Sequence, residues 1–235
     1  MKLSVIIPVL NEREQLPITV ARLQSHISNA EIIVVDGGST DGTREWLQQQ
    51  TGLIWRDAPR GRGLQMNAGA SDATGEVLLF LHGDCILPAQ AVALLQKALQ
   101  APQIKGGAFL IRFAEQAPHS LSIIAQGINA RTRVTRTATG DQAIFVRRTV
   151  FDKMGGFAEW PLFEDVQFVT RLKRVGEFII IPSPVTISAR RYLAHGPWRT
   201  TFLMYALRLG YWLGIPPAKL YQWFQDVRPH LQNVA

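Results

Sequence analysis

Apolar positions in the first part of the chain alternate between two rhythms. Short unbroken apolar runs, the pattern of strands buried on both faces, fall at Leu3–Val9, Glu31–Asp36, Leu53–Arg56 and Val77–Leu81. Between them the spacing turns helical: Glu14–His26 (Leu16, Val20, Leu23, then Ile27), Thr43–Gln50, a helix opened by Gly61-Arg62-Gly63 and running through Ala73, and Ala89–Gln100. Gly37–Gly42 is a turn in which Ser39 or Thr40 is placed to cap the helix that follows. This βαβαβαβ order predicts a parallel sheet with right-handed crossovers.

Beyond a soft boundary near Leu87–Pro88 the pattern loosens, although the sheet is expected to continue across it. Gly106–Phe113 reads as a strand, His119–Thr132 as a helix and Asp141–Arg147 as strand-like. A short helical turn precedes Gly155-Gly156, and Phe163–Val175 has helical spacing. Phe178–Ile181 and Val185–Ser188 read as two short strands bracketed by Pro182 and Pro184. Ser188–Tyr192 reads as extended, which would send Arg190 and Arg191 to opposite sides.

The fourth apolar run ends abruptly in His82-Gly83-Asp84. A carboxylate at the carboxyl end of a buried strand sits where open α/β sheets place their ligands. Asp84 therefore either holds a divalent cation or caps a turn. The first two strands also end in polar signatures, Pro8-Val-Leu-Asn11-Glu12 and Asp36-Gly-Gly38-Ser-Thr-Asp41. In a parallel sheet all three lie on one rim, where carboxylates can accept from a base or ribose and glycine allows close backbone approach. No Gly-x-Gly-x-x-Gly follows the first strand and no Gly-Lys-Ser/Thr occurs, which argues against dinucleotide-binding and P-loop chemistry.

Composition narrows the classes. The 235 residues, 47% hydrophobic and 18% charged, describe a globular chain. A net charge of +7 suits a phosphorylated substrate, an anionic membrane or nucleic acid. The basic residues form no continuous block, so nucleic acid is not the expected partner. The single Cys85 permits no internal disulfide and no cysteine zinc cluster. The Met1–Pro8 run reads as a strand, not a signal peptide, and no stretch reaches the roughly 20 apolar residues of a membrane span. A cytoplasmic location, with or without contact at the inner face of a membrane, is the expectation.

From Leu3 to about His195 the chain resembles the family 2 glycosyltransferases, which have a GT-A fold. The resemblance rests on Ser4–Glu12, Val34–Thr43, Gly61–Gly69 and His82-Gly-Asp84 in order, with Phe163-Glu-Asp-Val166 farther on. It implies a Rossmann-like, mostly parallel sheet flanked by helices. Residues 1–87 would form a nucleotide-binding half and 88–197 an irregular acceptor-side half, with a helical tail over 198–235. It implies a nucleotide-diphospho-sugar donor, a hydroxyl acceptor that can be lipid-like, and Mn²⁺ or Mg²⁺. Pro8, Asn11, Glu12, Asp36, Gly38, Arg62, Asn67, His82 and Gly83, with Arg190 or Arg191, would meet the nucleotide sugar. Asp84 would hold the metal, and His195 is either a further ligand or a surface histidine. The resemblance makes Asp165, beside Glu164, the general base of an inverting transfer; the alternative is that the pair complements a helix dipole. Gly140-Asp141-Gln142 is either an acceptor-binding loop or a turn. The chain departs from the family where His82 replaces the usual acid. That histidine adds a nitrogen ligand, bonds ribose or is a spacer, and as a ligand it favours Mn²⁺ slightly.

The tail has little polar face. Phe202, Leu203, Tyr205, Ala206, Leu209, Trp212 and Leu213 surround a single charge, Arg208, with Arg199, Lys219 and Arg228 at the flanks. Such a segment packs on its own domain, pairs with a second copy, or lies in a membrane interface. A non-catalytic nucleotide-sugar-binding protein of the same fold is the rival functional reading.

Overall fold

The computed structural model describes residues 1–27, 29–114 and 116–226. The first half follows the predicted alternation: β1 (Leu3–Val9), α1 (Leu16–His26), β2 (Glu31–Asp36), α2 (Thr43–Gln48), β3 (Ile54–Asp57), α3 (Arg62–Asp72), β4 (Val77–Phe80) and α4 (Ala91–Ala98). The second half contains β5 (Ile104–Phe113), α5 (His119–Thr135), β6 (Ile144–Arg147), α6 (Arg148–Met154), α7 (Glu164–Val175), β7 (Glu177–Ile187), α8 (Arg190–His195), α9 (Pro197–Trp212) and α10 (Pro217–Asp226). All seven strands share one sheet in the order β3-β2-β1-β4-β6-β5-β7. The first four are parallel, β6 runs antiparallel to β4 and β5, and β7 is parallel to β5.

Strand side chains alternate between two buried layers. Val5, Ile7 and Val9 of β1 and Leu79 of β4 pack under α1, α4 and α5. Ile6, Ile33, Leu78 and Phe80 pack against α3, α6 and α7. This double burial explains the unbroken apolar runs. Gly69 lets α3 lie close on the sheet, since a Cβ there would stand 2.5 Å from Ile6 Cγ2.

The crossovers also open the cleft. Connections leave β1 toward β2 on one side and return to β4 on the other, which makes the β1/β4 border a topological switch point. Pairing of β1 with β4 stops at Ile6 and Phe80. Pro8 lies beyond that point, on the side β4 has vacated, so its missing N–H costs no ladder bond.

Four local expectations are corrected. Neither Ser39 nor Thr40 caps α2: Asp41 Oδ1 accepts from the Thr43 amide at 3.0 Å, and Gly42 turns the chain with φ 90°. Asp141 is not in a strand, because Gly140–Gln142 forms a 3₁₀ turn held by a Thr139–Gln142 capping box. Pro182 and Pro184 do not split the last strand. A register shift at that point carries β7 past them while it stays paired to β5. The Ser188–Tyr192 segment is not extended throughout, since Arg190 and Arg191 open α8.

The tail packs partly on its own chain. Leu207, Leu220 and Phe224 meet Leu162, Phe163 and Val166, the residues around the start of α7. The opposite side of α9 exposes Trp198, Phe202, Leu209, Trp212 and Leu213. No helix among the described residues is long and apolar enough to cross a membrane. Residues 227–235, Arg228 among them, lie outside the described residues.

Candidate active site

Each polar signature lies just past a strand end, and hydrogen bonds tie the signatures together. Asp36, fully buried, accepts from the amides of Gly38 (3.0 Å) and Ser39 (2.9 Å) and from the Ser39 hydroxyl. The carboxylate thereby shapes the loop after β2. Asn11, at φ 55°, joins that loop to the end of β1. Its Oδ1 accepts from the Thr40 amide at 2.8 Å, and its own amide donates to Ser39 Oγ at 2.9 Å. Gly38, at φ 91°, faces open space. Gln65 closes the inner wall by donating to the carbonyls of Val9 and Val35, both at 2.8 Å. Asn67 holds a different contact: its amide pairs with the backbone of Phe157 at 2.8 and 2.9 Å and anchors α3 to the loop before α7.

After β4 the cleft becomes strongly charged. Gly83 packs beside Val9, and its carbonyl accepts from Thr19. Arg190 of α8 spans Glu12 Oε2 at 2.5 Å and Asp84 Oδ2 at 3.3 Å. Burial pushes the Glu12 carboxyl up, and the Arg190 hydrogen bond only partly opposes this. Burial also acts to raise Asp84, but His82, once protonated in acid, and Arg190 more than offset it and hold the carboxyl below its ordinary value. His82 is pushed down to about 4 by burial and then by the Arg62 charge, so at neutral pH its imidazole is uncharged. The ligand atoms of His82, Asp84 and Cys85 lie within 4.8 Å of one another.

That cluster fits a divalent cation in part. Asp84 offers oxygen and neutral His82 offers nitrogen, both suited to Mn²⁺. Cys85 fits less well, because a soft sulfur ligand does not select Mn²⁺ or Mg²⁺ and burial pushes its thiol well above the ordinary value. Arg190 supplies positive charge between Glu12 and Asp84, the place where a cation would act. His195 ends α8 outside this cluster and lines a cavity with Arg191, Arg199, Thr200, Leu203, Met204 and Phe224.

The second half of the chain meets the same point from the other direction. Phe163 is buried at φ 65°, an uncommon conformation for an aromatic residue, and it turns the chain directly into α7. Glu164 and Asp165 occupy the first turn. Asp165 Oδ2 accepts from the Gly140 amide at 2.6 Å, and Oδ1 accepts from its own helix at Val166. A Cβ on Gly140 would stand 2.7 Å from His82 Nε2, so the 3₁₀ turn is wedged between the histidine and Asp165. Burial raises the Asp165 carboxyl, with the Gly140 amide opposing. Burial and then the Asp165 charge raise Glu164 to about 7. Asp141 accepts from Thr139 Oγ1 at 2.5 Å. Gln142 is buried and donates to the Phe109 carbonyl at 3.0 Å, which spends its side chain on holding the turn.

The structure thus brings Glu12, His82, Asp84, Asp165, Asp141, Arg62, Arg190 and Arg191 to one cleft, where their charges act on one another. Two contributors escaped the sequence reading. Arg208 was visible only as the lone charge in an apolar helix. Arg131 carried no signal, being one of several basic residues at the end of α5. In the fold Arg208 feels the charges of Arg131, Asp165 and Asp141.

The Glycosyl transferase family 2 model matches residues 4–155. Glycosyltransferase AglE of Haloferax volcanii is 36% identical over 91 residues, 35% of this chain and 30% of that protein. Dolichol-phosphate mannosyltransferase of Pyrococcus furiosus is 33% identical over 107 residues, 43% of this chain and 30% of that protein. These alignments thus span about a third of the length of those relatives. Among solved structures, mannosyltransferase PcManGT from Pyrobaculum calidifontis, in complex with GDP-Man and Mn²⁺, superposes with TM-score 0.66 at 21% identity. The match covers 87% of this chain and 61% of that one. S. aureus TarS in complex with UDP gives TM-score 0.61 at 19% identity, covering 80% and 61%. The structural likenesses show a shared GT-A fold.

Proposed function

This chain belongs to glycosyltransferase family 2, and on that footing we propose that it moves a sugar from a nucleotide-diphospho-sugar to an acceptor hydroxyl in one inverting displacement. The nucleoside lies along the loops that Asp36 and Asn11 organise, against the open face at Gly38. Arg190 is the contact for the diphosphate, with Arg62 and Arg191 adding charge to the same cleft. Asp84 and His82 would hold Mn²⁺ or Mg²⁺. When bound, such a cation neutralises charge on the leaving diphosphate.

Asp165 takes the proton from the acceptor hydroxyl. Its Oδ2 is fixed by the Gly140 amide, and burial raises its proton affinity toward a working base. Glu164, raised to about 7, carries a proton below that pH and so spares Asp165 a like charge beside it. The observation that carries the reading is the single wedge of Gly140, which bonds to Asp165 on one side and abuts His82 on the other. It holds Asp165 beside the rim where donor and cation are proposed to meet.

Thermal unfolding with UDP-, GDP- and dTDP-sugars, each with Mn²⁺ and with a chelator, tests this reading. One donor should raise the melting temperature, and only with the metal. No shift from any donor would overturn the donor assignment.

A further inference from the structure

Two half-buried arginines near Asp165 each keep a buried nitrogen without a hydrogen-bond partner among the described residues. Helix α5 packs against α9, and Arg131 of the first acts on Arg208 of the second. Arg131 Nε and Arg208 Nη2 are buried and have no hydrogen-bond partner among the described residues. Neither arginine takes part in an ion pair among those residues. Burial and then the repulsion of Arg131 push Arg208 down to about 10, while the charges of Asp165 and Asp141 act to raise it. Nearer the start of α9, a cavity walled by Arg191 and Arg199 holds His195 and Thr200, whose Nε2 and Oγ1 are also buried and unpartnered among the described residues.

A buried charged donor without an acceptor is costly. Here the chain relieves the groups only in part: Arg131 donates to Thr132 Oγ1 and the field of Asp165 and Asp141 reaches Arg208, but each arginine faces a like charge and keeps one buried nitrogen without a partner among the described residues. A ligand that relieves them must be an anion, because guanidinium N–H groups only donate. It must offer several oxygens, and phosphate matches the guanidinium fork. The position matters as well. An anionic acceptor approaching Asp165 and Asp141 meets repulsion from them and from the donor diphosphate, and the two arginines stand where they offset it.

We propose that the acceptor is a phosphate-bearing alcohol, its phosphate seated between Arg131 and Arg208 while its hydroxyl faces Asp165. This rests on the transferase reading. The phosphate belongs either to a small soluble ester or to a lipid headgroup.

The test fills the donor site first, with GDP or UDP and Mn²⁺, and then follows binding by calorimetry. Glycerol 3-phosphate is compared with glycerol, and phosphatidylglycerol vesicles with phosphatidylcholine vesicles. The loaded wild type should bind a phosphate probe at least about tenfold more tightly than its uncharged or zwitterionic counterpart. Arg131→Gln/Arg208→Gln should lose that advantage with nucleotide affinity unchanged. Lys97→Gln/Lys153→Gln, which removes the same charge at exposed positions, should keep it. Arg208→Lys, which retains charge and bulk, should keep part of it and so separates loss of binding from loss of folding. Binding of glycerol 3-phosphate assigns a soluble ester; arginine-dependent binding of phosphatidylglycerol alone assigns a lipid headgroup. The proposal is overturned if neither phosphate probe is preferred, if the arginine variant binds as the wild type does, or if the lysine control loses as much. Should neither nucleotide bind, the donor reading falls, and the same titrations on the unloaded protein still decide the anion site.

Discussion

On the proposed donor rim, Asp36 accepts three hydrogen bonds from its own loop and Asn11 locks that loop to β1. Across the cleft, Arg131, His195, Thr200 and Arg208 keep buried polar atoms with no partner among the described residues. The first region is finished by its own backbone. The second keeps buried donors that its own chain does not satisfy among the described residues. Pre-organisation of the donor loops lowers the ordering cost of binding a nucleotide. On the proposed acceptor side, the unpartnered polar atoms would reserve binding energy for the molecule presented to Asp165.

The largest effect should come from the residue where the two regions meet. Asp165→Asn keeps the shape but cannot take a proton, and transfer should fall by about 10²–10⁴-fold. Nucleotide affinity, measured by calorimetry, should hardly change; unchanged turnover would remove the base assignment. Next is the donor rim itself. Asp84→Ala should lose the metal-dependent part of nucleotide affinity, about tenfold or more, while binding with a chelator present stays the same. Equal loss with and without Mn²⁺ would instead make Asp84 a direct or structural contact.

Stability then separates the two regions by sign. Asp36→Ala strands the amides of Gly38 and Ser39 and should cost about 1–3 kcal/mol in urea unfolding. Arg208→Met removes a buried charge without an ion pair and should be neutral or stabilising. Losses of similar size in both variants would erase the contrast.

The smallest effect is the pH dependence from Glu164. Its carboxyl is raised to about 7 in the fold against an ordinary value of 4.5. Between these values the folded state holds more protons than the unfolded chain, so this contribution is full below about pH 4.5 and is lost as pH rises to about 7. Glu164→Gln should flatten that slope, by about 1–3 kcal/mol across the window. An unchanged slope would show that Glu164 titrates normally.

How much of this was legible in the sequence divides along the same border. The strands β1 to β4 follow one another with short crossovers, so apolar runs and strand-end polar residues revealed both the sheet and its rim. In the second half local pattern was a weaker guide. Pro182 and Pro184 suggested a break, but the shift in register keeps β7 paired with β5 throughout. Arg190 and Arg191 suggested an extended chain, but they open a helix that returns Arg190 to Glu12, 178 positions away. Asn67 also bonds to the backbone of Phe157, 90 positions away, a contact its own motif did not announce. The Gly140–Asp165 bond and the Arg131–Arg208 juxtaposition are long-range contacts with no signature in either neighbourhood.

The proposed roles of Asp84, Arg190 and Asp165 converge on one event, cleavage of the bond between a sugar and a nucleoside diphosphate. Release of free nucleoside diphosphate from UDP-, GDP- and dTDP-sugars, with Mn²⁺ and with a chelator, tests that most directly. The wild type should release it from one donor in the presence of the metal, and Asp84→Ala should not. Tight donor binding by the wild type with no release, across acceptors with and without phosphate, would contradict the account and leave a nucleotide-sugar-binding protein of the same fold.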